Sequence, residues 1–310
     1  MLQLFYWIKL MNQNSKRCGF VAIIGAPNAG KSTLLNALIG TKVSIVTHKA
    51  QTTRRRILGI LPVEQTQIIF VDTPGLFSPQ KVFEKNMVDS AISGLLDADI
   101  GLLLVDVSKK NLDHVTKLLE LLPKQHPPLA LILNKIDLVE KPRLLSISEK
   151  LNARGNFEQT FMISALKNSG LSAILSFLSE RVPEGPWHFP EDQLTNLTDR
   201  QHASEVVREK LFLALHDELP YGLTVATENW EAFKDGSVKL SLTIYVEREQ
   251  HKPIILGKNG SKIKHIGKQA RVELEHLWGH PVHLFLNVKV KEQWTKRPEL
   301  YSSLGVEMDN

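Results

Sequence analysis

An α/β domain with a mostly parallel sheet covered by helices on both faces, followed by a small α+β domain, is the fold class that the sequence predicts. Three observations carry it. From Phe20 to Val182, short apolar runs alternate with longer amphipathic stretches, the pattern of strands buried on both faces. The segment "VPEGPWHFPEDQLTNLTDR" (182–200) then packs three prolines into a span too broken for a helix core. After it the order becomes helix, two strands, two helices, strand. At 310 residues the chain exceeds one usual domain and suits two.

The predicted strands of the first domain are "FVAIIG" (20–25), "RRILGIL" (55–61), "QIIFVD" (67–72), "IGLLLVD" (100–106), "LALILN" (129–134) and "QTFMIS" (159–164). Helical patterns lie near 31–39, 83–97, 111–122, 142–153 and 170–181, and in such sheets ligands gather at the carboxyl ends of the strands. Residues 183–200 read as a linker. Beyond it, "ASEVVREKLFLALHDEL" (203–219) has apolar residues at helical spacing, and "LTVATENWEAF" and "SVKLSLTIYVER" alternate as half-buried strands joined by the turn "KDGS". "PIILGKNGSKIKHIGKQARVELEHLWG" supplies two helices and "VHLFLNVKVK" the last strand. The predicted organisation is an N-terminal extension (1–17), the α/β domain (18–182), the linker (183–200), the α+β domain (201–297) and a tail (298–310).

Composition narrows the function classes. Hydrophobic residues at 43% and charged residues at 23% describe an ordinary globular chain. The single cysteine, Cys18, excludes an intramolecular disulfide and a cysteine-rich metal site and fits a reducing cytoplasm. Eleven histidines without metal spacing argue against zinc. The net charge of +5 hints at an anionic partner. The N-terminal "MLQLFYWIKL" is too short to span a bilayer. A meaningless extension, a true start at Met11, and a peripheral membrane contact through Phe5, Tyr6 and Trp7 all stay open.

"GAPNAGKST" (25–33) fits G-x-x-x-x-G-K-[ST] between a predicted strand and a predicted helix. Backbone N–H groups of Gly25, Ala26, Pro27–Ala29 and Gly30 wrap phosphates in such a loop, proline lacking a donor of its own. Asn28 and Thr33 complete the loop, Lys31 reaches the terminal phosphates as a catalytic cation, and the Ser32 hydroxyl serves Mg²⁺. "DTPG" (72–75) closes the third strand. Asp72 serves the magnesium shell, the Gly75 N–H meets the γ-phosphate, and Thr73, Pro74 and Leu76 flank them. In "NKID" (134–137), Asp137 accepts from guanine N1–H and N2–H₂, a pair that adenine lacks. Asn134 and Lys135 brace and cover the base, and "ISAL" (163–166) sets Ser164 and Ala165 near guanine O6. Within "KAQTTRRRI" (49–57), Thr53 is the threonine expected to complete the Mg²⁺ shell only when γ-phosphate is present, a catalytic and metal-binding role.

The second domain carries "GKNG" (257–260), a G-x-x-G loop opening a helix. Glycines let such a loop lie close against nucleotide backbone. Gly257, Lys258, Asn259, Gly260, Lys262, Lys264, Lys268 and Arg271 are the candidate RNA-binding residues. Between 251 and 297 there are ten Lys/Arg against three Asp/Glu. Ile254, Ile255, Ile263 and Ile266 either line a base groove or belong to the core.

These motifs resemble the translation-factor class of small GTPases. With the second domain they are similar to the Era family of bacterial ribosome-assembly GTPases, from about Cys18 to about Gly305. The resemblance rests on "GAPNAGKSTLLNALIG", "KAQTTRRRI", "FVDTPGL", "LNKIDL", "ISAL", "GPWHFPED" and "ASEVVREKL". It implies a P-loop GTPase domain, a type II KH domain, Mg²⁺-dependent conversion of GTP to GDP, and binding to the 3′ end of 16S rRNA and the small (30S) subunit during its assembly. Ala26 and Ala29 depart from the family loop G-R-P-N-V-G-K-S but contribute mainly backbone. Ras-like GTPases carry a water-orienting glutamine where this chain has Leu76, which implies slow intrinsic turnover. Asn28 matches the asparagine that helps bind K⁺ in related GTPases, so K⁺ is expected to accelerate hydrolysis here. The rival from another class is an RNA-binding adaptor that holds GTP and hydrolyses it poorly. A tRNA-modifying GTPase lacks support, since no folate or cysteine chemistry is visible.

Overall fold

The computed structural model describes residues 16–49, 52–54, 56–79, 82–216 and 219–294. The N-terminal stretch 1–10, Met11 and the tail 298–310 lie outside them. The described residues fall into two compact units. One takes those within Met1–Val43, Arg56–Phe77 and Ala91–Asn196, and the other those within Ser44–Arg55, Ser78–Ser90 and Leu197–Asn310. No helix among the described residues is long and apolar enough to cross a membrane.

The first unit is built on a six-stranded sheet in the order β2-β3-β1-β4-β5-β6. The strands are β1 (Arg17–Gly25), β2 (Ile57–Val63), β3 (Thr66–Asp72), β4 (Ile100–Asp106), β5 (Leu129–Asn134) and β6 (Gln159–Ile163). All neighbours run parallel except β2, which pairs antiparallel with β3. Strands β3, β4 and β5 are buried at every position, which is why they read as unbroken apolar runs. The helices are α1 (Lys31–Ile39), α2 (Val82–Leu96, of which residues up to Ser90 are counted with the second unit), α3 (Asp113–Leu121), α4 (Lys141–Asn152) and α5 (Leu171–Arg181). Leu34, Leu35 and Leu38 of α1 and Ile174 and Leu178 of α5 share one core with Ile23, Phe70, Leu102 and Ile132 of the sheet.

The expected linker is in its larger part bound along this sheet. The Cys18 N–H donates to the Pro183 carbonyl at 3.0 Å and the Ile60 N–H to that of Leu194 at 2.9 Å. The buried Gln67 side chain donates to the Phe189 carbonyl and accepts from the His188 and Phe189 N–H groups, at 2.8, 3.0 and 3.1 Å. A proline-rich segment lacks a ladder of its own, and backbone groups of the sheet together with the Gln67 amide satisfy its backbone instead. The boundary between the units falls after Asn196.

The second unit holds α6 (Asp199–Ala214), β7 (Leu223–Ala232), β8 (Val238–Val246), α7 (His251–Leu256), α8 (Ser261–Trp278) and β9 (Val282–Val290). Its sheet runs β7-β8-β9, with the first pair antiparallel and the second parallel. Helix α6 starts four residues before the periodic pattern suggests. Thr198 caps it, and Thr198 and Gln201 form a reciprocal capping box at 3.3 and 2.9 Å. Val206, Val207, Leu211 and Phe212 of α6 pack with Ile266, Ala270 and Leu274 of α8 over Leu240, Leu242 and Ile244 of β8.

The described residues of Ser44–Arg55 belong to this second unit. Arg54 is 5% exposed. It donates to the carbonyls of Leu223 at 2.6 Å and of Pro220 and Tyr221 at 3.1 Å each. Its guanidinium lies 5.4 Å from the ring centroids of Phe83 and Phe212 and 6.0 Å from that of Trp294. Burial, followed by the Arg208 charge, pushes its pKa down to about 9, against Glu205 and Glu247. Three carbonyls and three aromatic faces make a socket for a cation. Arg54→Ala leaves those carbonyls buried without their donor, at roughly 1–3 kcal/mol each before relaxation. The expected result is destabilisation of the second unit by on the order of 4 kcal/mol, read as a separate, lowered transition in calorimetry. An unmoved transition would show the socket to be energetically neutral.

Candidate nucleotide site and basic surface

The loop between β1 and α1 lies where its backbone geometry demands particular residues. Gly30 has φ 103°, and a Cβ there would sit 2.5 Å from the Asn134 side-chain nitrogen. Glycine alone tolerates both the angle and the approach. Asn28 takes φ 63°, a left-handed conformation in which asparagine is enriched. Lys31 is 7% exposed and donates to the Gly25 and Ala26 carbonyls at 3.2 and 3.1 Å. Burial pushes its ammonium down to about 8, with the Asp72 charge acting the other way. A desolvated cation held by carbonyl dipoles gains strongly from an anion.

The Ser32 hydroxyl donates to Asp72 Oδ2 at 2.7 Å, bringing together two motifs separated by 40 positions. Asp72 is fully buried at the carboxyl end of β3. Thr73 donates from its hydroxyl to the Ile23 carbonyl at 2.9 Å, and the Leu76 N–H donates to the Gly25 carbonyl at 3.0 Å. Among the described residues no cluster of three or more His, Cys, Asp or Glu forms a metal cage. One hydroxyl and one carboxylate, both hard oxygen donors, instead fit a Mg²⁺ that keeps waters and phosphate oxygens in its shell.

Asn134 fastens the phosphate loop to the base-side motifs. Its amide donates to the Ala29 carbonyl at 2.9 Å, and its oxygen accepts from the Ala165 N–H at 3.0 Å. Ser164 and Ser169 exchange backbone hydrogen bonds at 3.1 and 3.0 Å, fixing the turn that carries Ala165. Lys135, at φ 66°, donates to the Asn28 carbonyl at 3.0 Å and to Asp106 at 2.7 Å. Asp137 stands exposed in the 3₁₀ turn Ile136–Leu138. Thr53 is buried within the second unit beside Arg54.

Asp106 joins this constellation through Lys135, and sequence reasoning missed it. It ends β4 opposite Asn134 in the parallel register, a position that the rule for strand ends could have flagged. Burial pushes its carboxyl up, but hydrogen bonds from Lys135 and Ser108 outweigh that and hold it below its ordinary range. A depressed carboxyl contributes stability that is fully present above the unfolded pKa and is lost as pH falls through the folded one. Asp106→Asn is expected to weaken GTP and GDP binding alike by about tenfold, the scale of one lost charge-assisted hydrogen bond. Titration calorimetry with both nucleotides checks it, and unequal losses would place Asp106 at the γ-phosphate instead.

In the second unit, Gly257 takes φ 70° and a Cβ there would meet the Lys262 Cβ at 2.7 Å. The 3₁₀ turn Lys258–Gly260 follows, with Asn259 at φ 52°, and α8 begins at Ser261. Lys258, Lys264, Lys268 and Arg271 are exposed, Lys262 less so. Positions 264, 268 and 271 fall on one helical face. Arg271 is partly answered by Glu275 at 4.0 Å. Ile255 and Ile266 are buried in the core, whereas Ile254 is 48% exposed. Only Ile254 and the half-buried Ile263 are left to face a ligand.

Residues 20–135 match the family "50S ribosome-binding GTPase" and residues 218–295 match the "KH domain" family. The "GTPase Era" of Brucella suis biovar 1 (strain 1330) is 50% identical over 291 residues, covering 94% of each chain. That of Dinoroseobacter shibae is 49% identical over 299 residues, covering 96% of this chain and 97% of the relative. Among solved structures, an Aquifex aeolicus Era variant bound to GDP.AlF4- superposes with a TM-score of 0.88 at 38% identity, covering 94% of this chain and 99% of that one. An Era complex with MgGDPNP and nucleotides 1506-1542 of 16S ribosomal RNA gives 0.87 at 38% identity, with the same coverage.

Proposed function

Because the chain belongs to the Era family of GTPases, we propose that it is a Mg²⁺-dependent, GTP-hydrolysing switch. In this reading its second unit binds the 3′ region of 16S rRNA during small-subunit assembly. The observation that carries the reading is the Asn134 bridge, which braces phosphate loop and guanine-side turn into one site. A family description naming the large subunit covers only residues 20–135. The likeness that spans both units is to a complex with small-subunit RNA, and this favours the small subunit.

Hydrolysis here is positioning and electrostatics. Loop amides and Lys31 stabilise charge on the transferring phosphoryl group. Ser32, Asp72 and Thr53 are the residues to hold Mg²⁺, which when bound neutralises charge on the phosphate oxygens. Thr53 joins this set in the GTP state, so its segment reports the γ-phosphate. Asn28 is the residue to recruit K⁺, and equal turnover in K⁺ and Na⁺ buffers would remove that role. No side chain is an evident general base.

The adaptor reading draws on Leu76, which is 1% exposed and offers no donor to a water. Multiple-turnover phosphate release separates the two readings. Crosslinking with RNA sequencing, in GTP and in GDP, tests target and switching together. Reads that avoid the 3′ region of 16S rRNA in both states would overturn the assignment. A membrane contact by residues 1–10 is tested by lipid co-sedimentation with and without them.

A further inference from the structure

A cleft of about 340 Å³ opens in the first unit between the loop leading into α3 and the helix α4. Among the described residues four cations line it, Lys110, Arg143, Lys150 and Arg154, against one carboxylate, Asp113. All four are exposed, and among the described residues none of them takes part in an ion pair. The two guanidiniums are held in place. Arg143 donates to the Lys109 carbonyl and Arg154 to the Thr116 hydroxyl, each at 2.7 Å. A guanidinium has five N–H donors, so most of each remains for a ligand.

From these residues we infer that the cleft binds the phosphodiester backbone of structured RNA, at a place separate from the nucleotide site and from the G-x-x-G loop. The inference rests on the RNA-binding reading above. Two features select backbone over a free nucleotide. Among the described side chains no aromatic lines the cleft, so a base finds no stacking platform there. Arg143 and Lys150 lie two turns apart on α4, roughly 10 Å along its axis. That spread suits successive phosphates of a strand better than one isolated phosphate group. Binding of this kind positions an RNA without reading its sequence.

The test uses the full chain with two probes, a blunt-ended RNA duplex and a short single-stranded RNA, each titrated at several salt concentrations. The variant is Lys110→Glu with Lys150→Glu, neither residue belonging to the nucleotide site or the G-x-x-G loop. Duplex affinity is expected to fall at least about tenfold. Its dependence on log salt is expected to become shallower by about two, near one unit for each phosphate that a lysine no longer neutralises. Single-strand affinity and GTP turnover are expected to stay unchanged, which also establishes that the variant folds. The neutral pair Lys110→Gln with Lys150→Gln should give the same change of slope. Unaltered duplex affinity and slope would overturn the inference. So would an equal loss on the single strand, which marks a general field effect, or competition by polyglutamate as effective as by duplex, which marks an acidic-protein site. Failure of the RNA-binding reading itself looks different, because the unaltered chain would then not bind the single strand.

Discussion

Replacing Lys31 with alanine is expected to lower GTP turnover by about 10²–10³-fold, the usual cost of losing one donor aimed at developing charge. The geometry explains why this cation is not replaceable by its neighbours. It is buried at the first turn of α1 and held by the Gly25 and Ala26 carbonyls. Burial has already lowered its proton affinity to about 8. Much of its hydration is thus lost before any nucleotide arrives, so attraction to phosphate oxygens is little diluted by water. Alanine is the best helix former, so α1 and both cores should survive the change, and circular dichroism checks that they do. Lys31→Arg keeps the charge but forces a planar fork into space shaped for a point charge, and a large loss is expected there too. Phosphate release within about threefold of the unaltered chain would mean that loop amides alone carry the stabilisation.

What was legible in the chain depended on how locally each feature is encoded. The phosphate loop is contiguous, and its strand and helix follow from uninterrupted apolar runs on either side, so α1 runs 31–39 as the sequence predicts. The order of strands and helices was legible for the same reason. Side-chain roles arising from register were not. Asp106 matters because β4 pairs with β5 so that it lies opposite Asn134, next to the lysine that follows. The three arginines of "TTRRRI" look alike as a basic run. Folding separates them, burying Arg54 among carbonyls and rings while Arg56 pairs with Asp97 at 2.9 Å. The proline-rich segment reads as a linker because its partners, such as Gln67, lie more than a hundred residues away. The start of α6 was within reach, since a threonine followed three residues later by glutamine is a known N-terminal signal.

Asp137→Asn is expected to exchange the base preference of the site. In the proposed site the carboxylate is the group to accept from both N1–H and N2–H₂ of guanine, whereas an asparagine amide offers one acceptor and sets its own N–H₂ against the 2-amino group. A site built on such bonds discriminates by about 10⁴–10⁵-fold, so loss of GTP affinity by about 10³-fold is expected even with some adjustment. Xanthosine triphosphate carries a carbonyl at C2, which accepts from the new amide, and it should bind the variant better than GTP does. The surroundings permit this change. Asp137 stands exposed on a short turn whose preceding residue, Lys135, is fixed by Asp106 and by the Asn28 carbonyl. Asparagine is also nearly isosteric with aspartate, so neither the turn nor the buried bridge through Asn134 is disturbed. Calorimetry with both triphosphates on both proteins gives the four affinities needed. Weaker binding of both ligands would indicate a damaged site, and unchanged binding of both would move base recognition to another element. A reversal of rank has neither explanation, because misfolding cannot improve the fit of one purine while spoiling that of another.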